Sequence, residues 1–114
     1  MSKIISTNRL QERIAANPTL VLLEALPQKY FVDGHLPGAL HFPHDQVGAL
    51  VPALLPDKTA EIVVYCASNT CNNSHTAASR LGQLGYTNVS VYSGGKQDWS
   101  DAGLPLERNA VAAN

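Results

Sequence analysis

Cysteine is scarce in this chain: Cys66 and Cys71 are its only two among 114 residues. Two thiols are too few for a disulfide scaffold, so a reducing, cytoplasmic setting is the default expectation. Charge of one sign is missing as well. Eight Lys and Arg against nine Asp and Glu leave a net charge of −1, which argues against nucleic acid or an anionic membrane as the main partner. No stretch approaches the ~20 consecutive apolar residues of a membrane span. The segment from Met1 to Thr7 lacks the apolar core of a signal peptide. Repeats, linkers and low-complexity tracts are likewise missing. What is there is 45% hydrophobic and 15% charged, an ordinary globular composition. The length suits one domain with a real core.

Strand and helix signals alternate. Ile4-Ile5 reads as a short first strand. Ser6 or Thr7 can cap the next helix, with Leu10, Ile14 and Ala15 on its apolar face and Asn17-Pro18 as its stop. Thr19–Glu24 is a continuous apolar run, as a strand buried on both faces requires. Gly34, Pro37 and Gly38 mark a loop before a short strand at Ala39–Phe42, and a brief helix is expected at Asp45–Leu50. Glu61–Tyr65 is the most strand-like segment. From Ser74, the positions Ala77, Ala78, Leu81 and Leu84 share one helical face and Gly85 supplies the stop. Asn88–Tyr92 is the last strand, Gly94-Gly95 turns into a short helix carrying Trp99, and Gly103-Leu104-Pro105 closes the fold. The reading is one domain over residues 1–106 with a loose tail over 107–114. Alternation of this kind predicts an α/β domain with a mainly parallel sheet flanked by helices.

Ligands of such sheets bind beyond the carboxyl ends of the strands, and Cys66 stands there. It ends the run Ile62–Tyr65 and opens the polar stretch Ala67-Ser68-Asn69-Thr70-Cys71-Asn72-Asn73, which leads into the helix near Ser74. Converging N–H groups and the positive end of a helix dipole favour a thiolate, so Cys66 is the candidate nucleophile. Asn72, Asn73 and Ser74 are helix-cap candidates. Tyr65 and Trp99 read as core residues.

From Ile4 to Leu106 the chain resembles the rhodanese-like domains. Asp33-Gly34-His35-Leu36-Pro37-Gly38-Ala39 is similar to the family's G-H-I-P-G-A loop, and Val63-Val64-Tyr65-Cys66 to its strand-to-active-loop junction. Ala77-Ala78 through Leu81 to Gly85-Tyr86 resembles the helix after that loop. Asn88-Val89 resembles the start of the next strand, and Gly94-Gly95, Trp99 and Gly103-Leu104-Pro105 the C-terminal signature. Each piece is weak alone; together and in order they are specific. The resemblance implies a three-layer rhodanese-like fold and a sulfurtransferase. In it Cys66 accepts a sulfane sulfur, forms a persulfide and passes it to a thiol or other nucleophile. Residues 67 to 74 would then be the active-site and substrate-binding loop. The partners would be a sulfane-sulfur donor and a thiol acceptor, which a partner protein can present, and no cofactor is implied.

Two departures stand out. The family's loop runs C-x-x-G-x-R-S, whereas Ser74 lies eight positions beyond Cys66 and no Arg or Lys intervenes. The family's D-x-R after the second strand is replaced by Glu24-Ala25-Leu26. Thiosulfate is a dianion that benefits from positive charge, so it is expected to be a poor donor. The C-x-x-x-x-C-N spacing of Cys66, Cys71 and Asn72 is similar to a subset of the family. Cys71 is either a resolving thiol for oxidised or persulfidated Cys66 or a small residue packed in the loop. His35 is expected to brace its loop through ring hydrogen bonds, and Glu24 to keep the bracing role of the family's Asp. His41, His44, Cys66, Cys71 and His75 match no common zinc spacing, so no metal is expected. The alternative function is a catalytically weak interaction or redox-regulatory module. A phosphatase or arsenate reductase on this fold is disfavoured, because the C-x5-R position is Asn72.

Overall fold

The computed structural model describes residues 3–108. Five strands form one sheet: β1 (Lys3–Ile4), β2 (Val21–Glu24), β3 (Leu40–His41), β4 (Ile62–Tyr65) and β5 (Val89–Tyr92). Their order is β1-β5-β4-β2-β3 and every neighbouring pair is parallel. Parallel neighbours need crossovers, and four helices supply them: α1 (Thr7–Ala16), α2 (Gln28–Asp33), α3 (Val47–Leu54) and α4 (Asn73–Gln83), with α5 (Gly95–Asp101) following the last strand. None of these helices is long and apolar enough to cross a membrane.

The two-residue period of the strands divides the core into two layers. Leu23, Ile62, Val64, Val89 and Val91 point to one face, where Val47 of α3 and Ala77, Ala78 and Leu81 of α4 cover them. Leu22, Val63, Tyr65 and Tyr92 point to the other, against Leu10 of α1, Phe31 of α2 and Trp99 of α5. All four residues of β4 are buried, which explains their unbroken apolar run. Cys66 follows Tyr65 and therefore turns back toward the α4 face.

Several boundaries differ from the sequence reading. The first strand is Lys3–Ile4, although Ile5 N–H still donates to Val91 O at 2.9 Å. On α1 only Leu10 is buried; Ile14 and Ala15 face solvent, with no neighbouring element among the described residues covering them. Helix α3 starts at Val47 and runs through Pro52 to Leu54, later and longer than expected. Helix α2 was not anticipated. It spans six residues, has no side-chain cap and buries only Phe31, so it carries no readable periodicity. Leu84, expected on the apolar face of α4, is its C-cap and is exposed. Gly85, at φ +98°, ends that helix in the left-handed region. Glu107, expected to head a loose tail, instead pairs with His35 in an antiparallel bridge with both N···O distances 2.8 Å. The remainder of that expectation, from residue 109 onward, lies outside the described residues.

Candidate active site

Cys66 sits between β4 and α4 with 1% of its surface exposed. Its Sγ lies 3.4 Å from Ser74 Oγ and 3.3 Å from the carbonyl oxygen of Cys71. The loop between them folds on itself: Cys71 N–H donates to Ser68 O at 3.0 Å, and the Ser68 and Thr70 hydroxyls are 3.1 Å apart. Ala67, Asn69, Thr70 and Asn72 are exposed, while Ser68, Cys71 and Asn73 are half-buried. Both thiols are free.

Helix α4 begins one residue before Ser74. Asn72 occupies the cap position in a helical conformation and its side chain makes no capping bond. Ser74 is no cap either. It lies inside the first turn, fully buried, with its hydroxyl turned to the sulfur.

The expected thiolate bias is not what the environment produces. Burial pushes the Cys66 thiol up, and its contact with Cys71 pushes it further in the same direction. The Ser74 hydroxyl and backbone amide oppose this without reversing it. A carbonyl oxygen aimed at the sulfur accepts from S–H and repels S⁻, so it acts in the same direction as burial.

The opposite side of the loop rests on α5. Lys96 N–H donates to Cys66 O at 3.1 Å and Gln97 N–H to Ala67 O at 2.9 Å. Gly95 makes this approach possible. At φ +61° it is in the left-handed region, and a Cβ there would lie 2.2 Å from Cys66 O.

Beneath the loop runs a buried polar chain. Leu36 N–H donates to the Tyr65 hydroxyl at 3.0 Å, and that hydroxyl donates to Glu24 Oε1 at 2.8 Å. The other Glu24 oxygen has one polar neighbour, Lys96 Nζ at 3.0 Å, which also donates to Tyr30 O at 2.7 Å. Glu24 is fully buried. Burial raises its carboxyl above the ordinary range, against the opposing pull of Tyr65 and Lys96. The chain thus ties β2, β4, the His35 loop and α5 together. His35 stacks on Phe31 with ring centroids 3.9 Å apart, and its Nδ1 is 2.9 Å from Phe31 O. Sequence reasoning missed Lys96, since its partner is distant in the chain and a lysine after a Gly-Gly turn carries no signal. Tyr65, read as core alone, also serves as a hydrogen-bond relay.

No cation lies within residues 67 to 74, and Lys96 is committed to Glu24. Arg80 is exposed on the outer face of α4. His41 is occupied elsewhere, with Nε2 2.9 Å from Leu26 O. Among the described residues no group of three or more His, Cys, Asp and Glu side chains converges to hold a metal ion.

The chain can be set beside known proteins. It is 29% identical over 104 residues to a sulfurtransferase of Allochromatium vinosum, covering 90% of this chain and 92% of that one. It is 32% identical over 85 residues to the adenylyltransferase and sulfurtransferase UBA4 of Candida albicans, covering 71% of this chain but only 19% of that protein. The crystal structure of the Alr3790 protein from Anabaena superposes with a TM-score of 0.82 at 26% identity, covering 96% of this chain and 86% of that one. Residues 6–102 match the sequence model of the rhodanese-like domain, and the chain belongs to that family.

Proposed function

We propose that this protein is a sulfur carrier in which Cys66 receives a sulfane sulfur and passes it to a thiol. The observation that carries the reading is the position of Sγ, buried at the first turn of α4 within reach of Ser74 Oγ at 3.4 Å. In the first step the Cys66 thiolate attacks the outer sulfur of a donor persulfide, forming the new S–S bond and expelling the donor thiolate. In the second an acceptor thiolate attacks the outer sulfur of the Cys66 persulfide, and Cys66 leaves as thiolate. The Ser74 hydroxyl and N–H favour the anionic form in both steps. Sulfurtransferase relatives of similar length support the class of reaction. The acceptor is a small thiol or one presented by a partner protein.

The loop's lack of Arg and Lys supports a persulfide rather than thiosulfate as donor. Thiosulfate:cyanide turnover is expected to be weak; turnover matching an efficient sulfurtransferase refutes this. Intact mass after incubation with a persulfide donor tests the main reading. Wild type is expected to gain sulfur that cyanide or dithiothreitol removes, and Cys66→Ser to gain none. A second reading, an interaction or redox-regulatory module, draws on the burial of Cys66, which opposes ionisation of its thiol. Absence of any adduct on a free Cys66 favours it.

A further inference from the structure

The carbonyl oxygen beside Cys66 is not part of an anion cradle, and its owner is the chain's other thiol. The turn from Ser68 to Cys71 brings the Cys71 backbone to 3.3 Å from Cys66 Sγ. The Cys71 sulfur is separated from that carbonyl only by its own carbonyl carbon, Cα and Cβ, so the contact puts the two cysteines in the same tight turn. Cys71 is half-buried and free, and its thiol is near enough to bias the ionisation of Cys66.

We propose that Cys71 discharges the Cys66 persulfide within the loop, releasing sulfide and closing a Cys66–Cys71 disulfide. This rests on the reading that Cys66 carries sulfane sulfur. The Cys71 thiol gives its proton to water, and its thiolate attacks Cys66 Sγ, the inner sulfur of the persulfide. The Cys71–Cys66 S–S bond forms, and the bond to the outer sulfur breaks. That sulfur leaves with the electron pair as HS⁻, reduced from sulfane to sulfide, while the two cysteine sulfurs are oxidised to a disulfide. The sulfane sulfur is the only oxidant required. A dithiol reductant reopens the disulfide, itself becoming a disulfide, and returns both thiols. The loop thereby sets a time limit on the loaded state. An external thiol that reaches the outer sulfur first receives it; otherwise the sulfur leaves as sulfide and the protein waits for reductant.

The test loads wild type, Cys71→Ser, Cys71→Ala and Cys66→Ser with glutathione persulfide and removes the donor by desalting. Intact mass and a sulfide electrode then follow each protein. Wild type is expected to lose its added sulfur and end two hydrogens lighter than the reduced chain, with one sulfide released per disulfide. Dithiothreitol restores the reduced mass. Both Cys71 variants, shown to fold by circular dichroism, keep the sulfur about tenfold longer or more, because an intramolecular thiol acts at high effective concentration. Equal lifetimes in wild type and the Cys71 variants overturn the proposal and leave the carrier reading standing. So does transfer of the sulfur onto Cys71 without a disulfide. If no variant gains sulfur, the carrier reading falls and this proposal with it.

Discussion

Gly95→Ala probes the contact that holds the Cys66 loop against α5. Two costs are separable. The residue sits at φ +61°, where an L side chain costs roughly 1–2 kcal/mol. Its new Cβ would also lie 2.2 Å from Cys66 O and 3.0 Å from the Ala67 carbonyl carbon. Relief needs a shift of about 1 Å, which strains or breaks the 3.1 Å bond from Lys96 N–H to Cys66 O; such a bond is worth ~0.5–1.5 kcal/mol net. Gly103 is the matched control, at φ +78° with nothing within 4 Å of a built Cβ. Gly103→Ala therefore meets only the conformational cost. The expectation is a loss of about 1 kcal/mol for Gly103→Ala and about 3 kcal/mol for Gly95→Ala. Urea denaturation with unchanged m-values measures both. Sulfur loading of Cys66 should slow in Gly95→Ala and stay normal in Gly103→Ala, since only the first displaces the nucleophile's backbone. Equal destabilisation by the two substitutions refutes the close approach and the floor built on it.

Ser74→Ala removes the hydroxyl that opposes the burial of the thiol. The alkylation rate of Cys66 near neutral pH should fall severalfold, by about 1 kcal/mol of lost stabilisation, and its pH midpoint should move upward; an unmoved midpoint rejects the role. Lys96→Met strands the buried Glu24 carboxylate, an uncompensated charge costing about 3–5 kcal/mol. The folded-state carboxyl is already raised, so the folded protein takes up its proton at higher pH than the unfolded chain does. Acidification should therefore return part of the loss to Lys96→Met, and a deficit independent of pH in urea titrations contradicts the ion pair. Glu61 behaves oppositely: the Arg13 guanidinium, 2.7 Å away, holds its carboxyl at about 2. Its contribution is present above the ordinary carboxylate range and fades as pH falls toward that value. Glu61→Gln should thus be less stable than wild type near neutral pH and converge with it in acid; a gap that persists in acid refutes the assignment.

Motifs with local causes were legible. Gly85 ends α4 because a left-handed residue is needed there, and the Gly-Gly turn before α5 marks a backbone crossing that excludes a side chain. Helix α2 was not legible, since one buried Phe31 makes no pattern. Ile14 and Leu84 misled for the complementary reason: helical spacing shows which residues share a face, not whether a neighbour covers it.

The sequence by itself determined the alternation of elements, the parallel sheet and the placing of Cys66 at a strand's carboxyl end. Each of these follows from periodicity and turn chemistry within a few residues. Only the tertiary structure decided how deeply that thiol is buried and the company it keeps. Burial, the Cys71 carbonyl and the Ser74 hydroxyl meet at Sγ through the path of a loop whose composition alone permits many paths. The Glu24–Lys96 pair arises in the same way, from strand and helix ends that are remote in the chain and adjacent in space. Electrostatics depends on distance and burial, and neither is written in the order of residues.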